Sequence, residues 1–98
     1  MNSYMIEINF PKNFNGELMK LIPDQRAYIT RMMKQGIIVN YSLSIDWKKL
    51  WVIVHAEDRF DALNIIGAFP MYEYIDYKIH NLMFHESSSI GAPQFWLN

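Results

Sequence analysis

Three side chains in this sequence could exchange protons with a small molecule near neutral pH: Glu7, His55 and His80. Each stands in a stretch where apolar and polar residues alternate, which predicts a β-strand with one polar face. A carboxylate beside an imidazole suits general acid–base catalysis, because pairing and partial burial tune both groups toward neutral pH. Polar groups that are hydrogen-bonded on a sheet face for structural reasons alone give the same pattern, so both interpretations stay open.

Two similar halves position these residues, and each half reads strand, helix, strand. The predicted strands cover residues 4–10, 37–46, 50–56 and 76–84, and the predicted helices cover residues 23–35 and 58–69. Pro23 breaks the helical stretch that follows Gly16, Gly36 suits the position after a helix, and Asp58 suits an N-cap. The order βαββαβ predicts an α+β, ferredoxin-like antiparallel sheet in the strand order 4-1-3-2, with both helices on one face.

The alternation divides the strand residues between two faces of the sheet. The face under the helices is predicted to carry mainly large apolar side chains: Ile6, Ile8, Val39, Tyr41, Leu43, Val52, Val54 and Ile79. The opposite face is predicted to carry polar and apolar side chains together: Glu7, Asn9, Ile38, Asn40, Ser42, Trp51, Ile53, His55, Lys78, His80 and Leu82. Because this face keeps several large apolar residues, we expect a second copy of the chain to cover it as a two-sheet barrel with a ligand-sized interior.

Composition narrows the class of protein. The 98 residues are 51% apolar and include 3 Trp, 6 Tyr and 6 Phe, more than one small domain can bury, which predicts a pocket or a subunit interface. The net charge of −1, without a basic cluster, argues against a nucleic-acid partner. The absence of cysteine and of close His/Asp groups argues against disulfides and a metal site.

No apolar run approaches the roughly 20 residues that span a bilayer, and no signal peptide is visible, so we expect a cytoplasmic protein without a membrane partner.

One segment carries a family resemblance. Residues 69–79, FPMYEYIDYKI, resemble the segment LPLFPYMDIEV of the muconolactone isomerase family, and residues 82–88, LMFHESS, resemble the L..RHPSS that follows it. The similarity runs back without gaps through Asp24 and Arg31 to Gly36, which resemble the family's DE…R…EG helix end, and so covers most of the chain. It is most specific at Pro70, Tyr74, Asp76 and His85.

The resemblance implies a homodimeric α/β barrel, assembled into larger rings such as decamers. It also implies an isomerase without cofactor or metal, which moves the double bond of muconolactone to give the enol-lactone in the 3-oxoadipate pathway of aromatic compound catabolism. Two features differ from the family. Gln25 stands where an acidic residue follows Asp24, and residues 38–43 lack the arginines that hold the substrate carboxylate. A non-catalytic oligomeric module that binds a small ligand is therefore the alternative.

The sequence thus predicts acid–base isomerisation of a small lactone or enolisable carbonyl compound. Glu7, His55 and His80 are the predicted catalytic residues, and they could converge because the first, third and fourth strands are neighbours. The predicted substrate-binding residues are Asp24, Asn40, Tyr41, Ser42 and Trp51. Asp24 would equally serve its helix as an acidic residue in the first turn. Residues 1–86 are the predicted domain, and residues 87–98, which include Phe95 and Trp96, are predicted to pack as an arm on a neighbouring subunit.

Overall fold

The computed structural model describes residues 1–13 and 15–86. The strands are β1 Asn2–Asn9, β2 Ile38–Leu43, β3 Lys49–Ala56 and β4 Asp76–Leu82; the helices are α1 Gly16–Lys20, α2 Ile22–Lys34 and α3 Arg59–Gly67, and a 3₁₀ turn covers Tyr72–Tyr74. No helix within the described residues is long and apolar enough to span a membrane. The predicted C-terminal arm, residues 87–98, lies outside the described part of the chain, as do Ser87 and Ser88 of the family resemblance.

The four strands form one antiparallel sheet in the order β2-β3-β1-β4. This is the predicted order 4-1-3-2, read from the other edge. The central strands β1 and β3 are also the longest, with 8 residues each. The chain is therefore a small α+β protein whose architecture is compatible with a ferredoxin-like fold.

Local signals set the helix ends as predicted. Leu21 separates α1 from α2, and Pro23 stands in the first turn of α2, where a missing N–H costs nothing. Gly36 has a φ of 74°, the left-handed conformation that glycine adopts after a helix. Asp58 caps α3, since its Oδ1 accepts a hydrogen bond from the Asp61 N–H at 2.9 Å.

The core lies between one face of the sheet and the helices α2 and α3. Alternate residues of β1 and β3, such as Ile6 and Val54, are fully buried there in the same cluster as Ile29 of α2 and Ile66 of α3. Both helices thus lie on one face, which we call the covered face. Full burial of one such side chain contributes about 1.5–3 kcal/mol, so this layer supplies most of the stability of the fold.

The prediction for Ile38 is wrong. Strict alternation places Ile38 on the face away from the helices, together with Asn40, but Ile38 pairs with Val54 and is only 1% exposed in the core. A β-bulge between Ile38 and Asn40 inserts an extra residue and shifts the register by one, which turns the side chains before it to the other face. Val39, predicted to face the core, lies at the bulge and is half-buried. Tyr41 lies after the bulge, on the covered face as predicted.

Candidate functional site

The sheet face away from the helices, which we call the open face, carries polar and charged side chains next to a few apolar ones. The strand register places the following residues on it: Ser3, Met5, Glu7 and Asn9 of β1; Asn40 and Ser42 of β2; Lys49, Trp51, Ile53 and His55 of β3; and Asp76, Lys78, His80 and Leu82 of β4. Both helices lie on the covered face, so Trp51 and His80 on the open face keep much of their surface exposed.

Glu7 lies on the central strand of the open face, and both neighbouring strands contact its carboxylate. Glu7 Oε2 accepts a hydrogen bond from Lys49 Nζ at 2.9 Å, and Glu7 Oε1 lies 3.2 Å from His80 Nε2. These are diagonal cross-strand pairs, because the residues directly opposite Glu7 are Trp51 on β3 and Lys78 on β4. We call Glu7, Lys49 and His80 the Glu7 cluster. It joins a carboxylate, an ammonium group and an imidazole across three strands.

The hydrogen bonds of the cluster favour the ionised form of Glu7. Hydrogen bonds from Lys49 and, to a smaller extent, from His80 lower the pKa of Glu7 below its ordinary value, so the carboxylate is ionised at neutral pH. An ionised carboxylate can only accept hydrogen bonds, so His80 Nε2 donates to it. The Nδ1 atom of a neutral His80 then carries the lone pair. Because the side chain of His80 is 48% exposed, that atom can serve a ligand on the open face.

His55 does not join the Glu7 cluster, although it lies on the same face. His55 pairs with Ser3, whereas Trp51 pairs with Glu7. Ser3 and Glu7 are four positions apart along β1, which at about 3.3 Å per residue is a distance of about 13 Å. The predicted convergence of three acid–base residues is therefore wrong for His55, because a shared face does not imply a shared register.

The predicted substrate-binding residues are divided between the two faces. Trp51 lies directly opposite Glu7, Ser42 pairs with Trp51, and Asn40 pairs with Ile53, so these three extend the open face around the cluster. Tyr41 lies on the covered face instead. Asp24 is exposed in the first turn of α2, which packs on the covered face, and its acidic group is favourable near the positive end of that helix.

Sequence reasoning missed Lys49. The predicted third strand begins at residue 50, whereas β3 begins at Lys49, and this first strand residue faces the open side. The signal was present in the alternation, because Lys49 has the same parity as Trp51 and His55 and so belongs to their face. The role of Lys49 follows only from the register of β1 and β3, which places its ammonium group beside the carboxylate of Glu7.

A cavity of about 310 Å³ lies on the covered face, between the start of α2 and the edge of the sheet formed by β2 and β3. We call it the helix-side cavity. Tyr41 and Leu43 line it from β2, Gln25 and Arg26 line it from α2, and Trp47 lines it from the β2–β3 turn. None of its described lining residues is a carboxylate or an imidazole, so it lacks the acid–base pair of the open face.

The chain matches no protein-family model and no curated protein sequence. Within residues 1–13 and 15–86, no group of three or more His, Cys, Asp or Glu side chains could hold a metal ion. The class that the fold defines is a small α+β protein with a four-stranded antiparallel sheet.

Proposed function

We propose that the protein is a cofactor-free acid–base isomerase of a small lactone or enolisable carbonyl compound, of the muconolactone isomerase type. The Glu7 cluster carries this proposal, because it pairs a carboxylate at 3.2 Å with an imidazole on a sheet face that no described helix covers. Two ferredoxin-like subunits pair through their open faces in this proposal, as a dimeric barrel that is the unit of larger rings. The second subunit excludes water from the cluster and so strengthens its electrostatic interactions.

His80 is the proton carrier in this mechanism. Its Nδ1 takes a proton from the carbon next to the substrate carbonyl and returns a proton to a different carbon after the double bond has moved, so no proton is consumed overall. A proton held on Nδ1 can exchange with solvent before it is returned, which makes the step detectable in D₂O. Glu7 is a positioning residue, because its lowered pKa makes it a weak base. Its carboxylate holds the Nε2–H tautomer of His80 and stabilises the imidazolium that forms in the reaction.

Lys78 is the proposed binding group for an anionic substrate. Lys78 lies directly opposite Glu7 and two residues before His80 on the same face of β4. Its ammonium group forms no ion pair with a described residue, whereas Lys49 is engaged by Glu7. A cation beside the proton carrier compensates for the arginines that residues 38–43 lack. Trp51, on the other side of Glu7, supplies an apolar wall.

The test uses the full-length chain with muconolactone and simple unsaturated γ-lactones in D₂O. Proton abstraction is followed by NMR as exchange of substrate C–H for C–D, which detects the chemistry even without net isomerisation. We expect His80→Asn and Glu7→Gln each to lower the exchange rate by about 10²–10⁴, the usual contribution of a positioned acid–base group. Lys78→Gln should raise KM more than it lowers kcat, because it removes binding and not proton transfer.

The matched control is Glu73→Gln, which makes the same change at an exposed residue of the 3₁₀ turn and should leave exchange unchanged. Exchange that persists at the wild-type rate in both His80→Asn and Glu7→Gln contradicts the site. The pairing of subunits is tested separately by light scattering. Trp51→Glu places a charge in the middle of the proposed interface and should reduce the mass of the oligomer, and an unchanged mass would rule out this face as the interface.

The second candidate function is a non-catalytic oligomeric module that binds a small ligand. The helix-side cavity favours it, because that cavity is concave and mainly apolar but holds no described carboxylate or imidazole. This function predicts that the wild-type protein binds small molecules and catalyses no C–H exchange with any lactone of the set. The D₂O experiment therefore separates the two functions directly.

A further inference from the structure

We infer that the helix-side cavity is a binding site for a small cyclic carboxylate, separate from the Glu7 cluster. Tyr41 and Leu43 line this cavity from the covered face of the sheet, whereas Glu7 and His80 lie on the open face. The sheet itself stands between the two sites, so one molecule cannot occupy both. The inference therefore stands independently of the proposed isomerase activity.

The size and walls of the cavity select a compact, flat ligand. Its volume of about 310 Å³ lies at the small end of the range of about 300–1,000 Å³ that is typical of small-molecule sites. Ile22 and Ile29 of α2 and Leu43 of β2 give it apolar walls, and the rings of Tyr41 and Trp47 add flat surfaces. Such walls favour a single ring and disfavour a strongly hydrated ligand such as a free phosphate.

Arg26 gives the cavity its preference for an anion. It is the charged residue among the described lining residues, and its guanidinium group forms no hydrogen bond or ion pair with another described residue. A guanidinium group can bind a carboxylate through two parallel hydrogen bonds, which suits a monoanion on an otherwise apolar ring. Gln25 adds polar capacity beside it. Gln25 Oε1 accepts from the Met71 N–H at 3.1 Å, which leaves the amide N–H groups of Gln25 for a ligand.

The backbone of Trp47 supports a functional role for its side chain. Trp47 has a φ of 63°, a left-handed conformation that is unfavourable for a bulky residue and natural for glycine or asparagine. The turn holds this conformation firmly: the Trp47 N–H donates to Ser44 O at 2.9 Å, and Asp46 Oδ1 accepts from the Ser44 hydroxyl at 2.7 Å and from the Lys48 N–H at 3.0 Å. An indole kept at a position that suits glycine, and directed at the cavity, is well placed to cover a bound ring.

The inference is tested by isothermal titration of the full-length chain with benzoate, and with benzamide as the uncharged analogue of similar shape. We expect benzoate to bind and benzamide to bind about tenfold more weakly, the usual effect of losing a charge-assisted hydrogen bond. Arg26→Gln should weaken benzoate binding about tenfold and leave benzamide binding unchanged. Lys34→Gln makes the same charge change at an exposed residue of the same helix and should alter neither titration.

A second variant tests the position of the ligand independently of charge. Leu43→Phe reduces the volume of the cavity and should weaken benzoate and benzamide to the same degree; Leu43 lies on an edge strand and is 42% exposed, so the fold tolerates the larger ring. Benzoate binding that is equal in wild type and Arg26→Gln overturns the inference. So does binding that Lys78→Gln abolishes, because the carboxylate then lies on the open face. Absence of benzoate binding up to about 10 mM overturns it as well. Proton exchange is measured in a separate experiment, so either the binding site or the isomerase activity can be contradicted without the other.

Discussion

The two faces of the sheet are made by alternate residues of the same strands, yet the surroundings on the two sides favour opposite charge states of an ionisable group. In the core beneath the covered face, burial raises the pKa of Tyr28 of α2, because the charged form would lose its hydration. On the open face, hydrogen bonds from Lys49 and His80 lower the pKa of Glu7, because they stabilise its charged form. Burial therefore favours the neutral form of Tyr28, and pairing favours the ionised form of Glu7.

The difference has a consequence for function. A carboxylate held in its ionised form is a good partner for an imidazole and a poor base, so the open face suits proton transfer through His80 with Glu7 as its support. The covered face offers an apolar cavity with a cation, Arg26, at its wall, which suits binding without chemistry. Each of the following experiments changes one face and leaves the other intact.

The largest expected effect tests which face Ile38 occupies. Ile38→Ala should lower the free energy of unfolding by about 2–4 kcal/mol, because it leaves a cavity in the core where Ile38 is 1% exposed. The matched control is Ile45→Ala at a side chain that is fully exposed, with an expected change within about 0.5 kcal/mol. Urea denaturation measures both. Equal effects of the two substitutions would mean that the bulge is absent and that Ile38 lies on the open face.

A smaller effect is expected from Gln25, the buried residue whose side chain hydrogen-bonds the backbone of Met71. Gln25→Ala leaves the buried N–H of Met71 without an acceptor and should cost about 1–3 kcal/mol. Gln35→Ala changes an exposed glutamine at the end of the same helix and should have little effect in the same denaturation experiment. A loss at Gln25 no greater than at Gln35 would show that this hydrogen bond does not support the covered face.

The substitution Trp47→Gly should weaken ligand binding and have little effect on stability. Trp47→Gly removes the ring that covers the helix-side cavity and should weaken benzoate binding by about three- to tenfold. The free energy of unfolding should change by less than about 1 kcal/mol, because relief of the left-handed backbone offsets the lost contacts of a half-exposed side chain. Ile45→Ala in the same turn is the control for both measurements. Unchanged benzoate affinity in Trp47→Gly would remove Trp47 from the site.

The smallest effect is the contribution of Glu7 to stability at low pH. The pKa of Glu7 is lower in the folded chain than its ordinary value of 4.5, so its stabilising effect is present above pH 4.5 and is lost as the pH falls through the lowered pKa. Solvent screening keeps this contribution small. The difference in Tm between wild type and Glu7→Gln should therefore shrink on acidification. Glu73→Gln should follow the wild type, and parallel Tm curves for wild type and Glu7→Gln would contradict the pairing.

Much of the fold could be predicted because the signals are local. Pro23, Gly36 and Asp58 mark helix ends through their own backbone preferences, and these positions agree with the structure. The alternation also placed Glu7 and His80 on the same face, since the period of a strand is two. Ile38 could not be placed in this way, because the bulge depends on how β2 pairs with β3 and not on the residues of β2 alone.

The sequence by itself determined the order of the elements and which side chains alternate between the faces, because periodicity is a property of each segment. Only the tertiary structure decided that Lys49, and not His55, meets the carboxylate of Glu7, because that contact depends on the register of two strands distant in the chain. The tertiary structure also brought Arg26 and Trp47 to one cavity, since a concave surface exists only where helix, sheet and turn pack together.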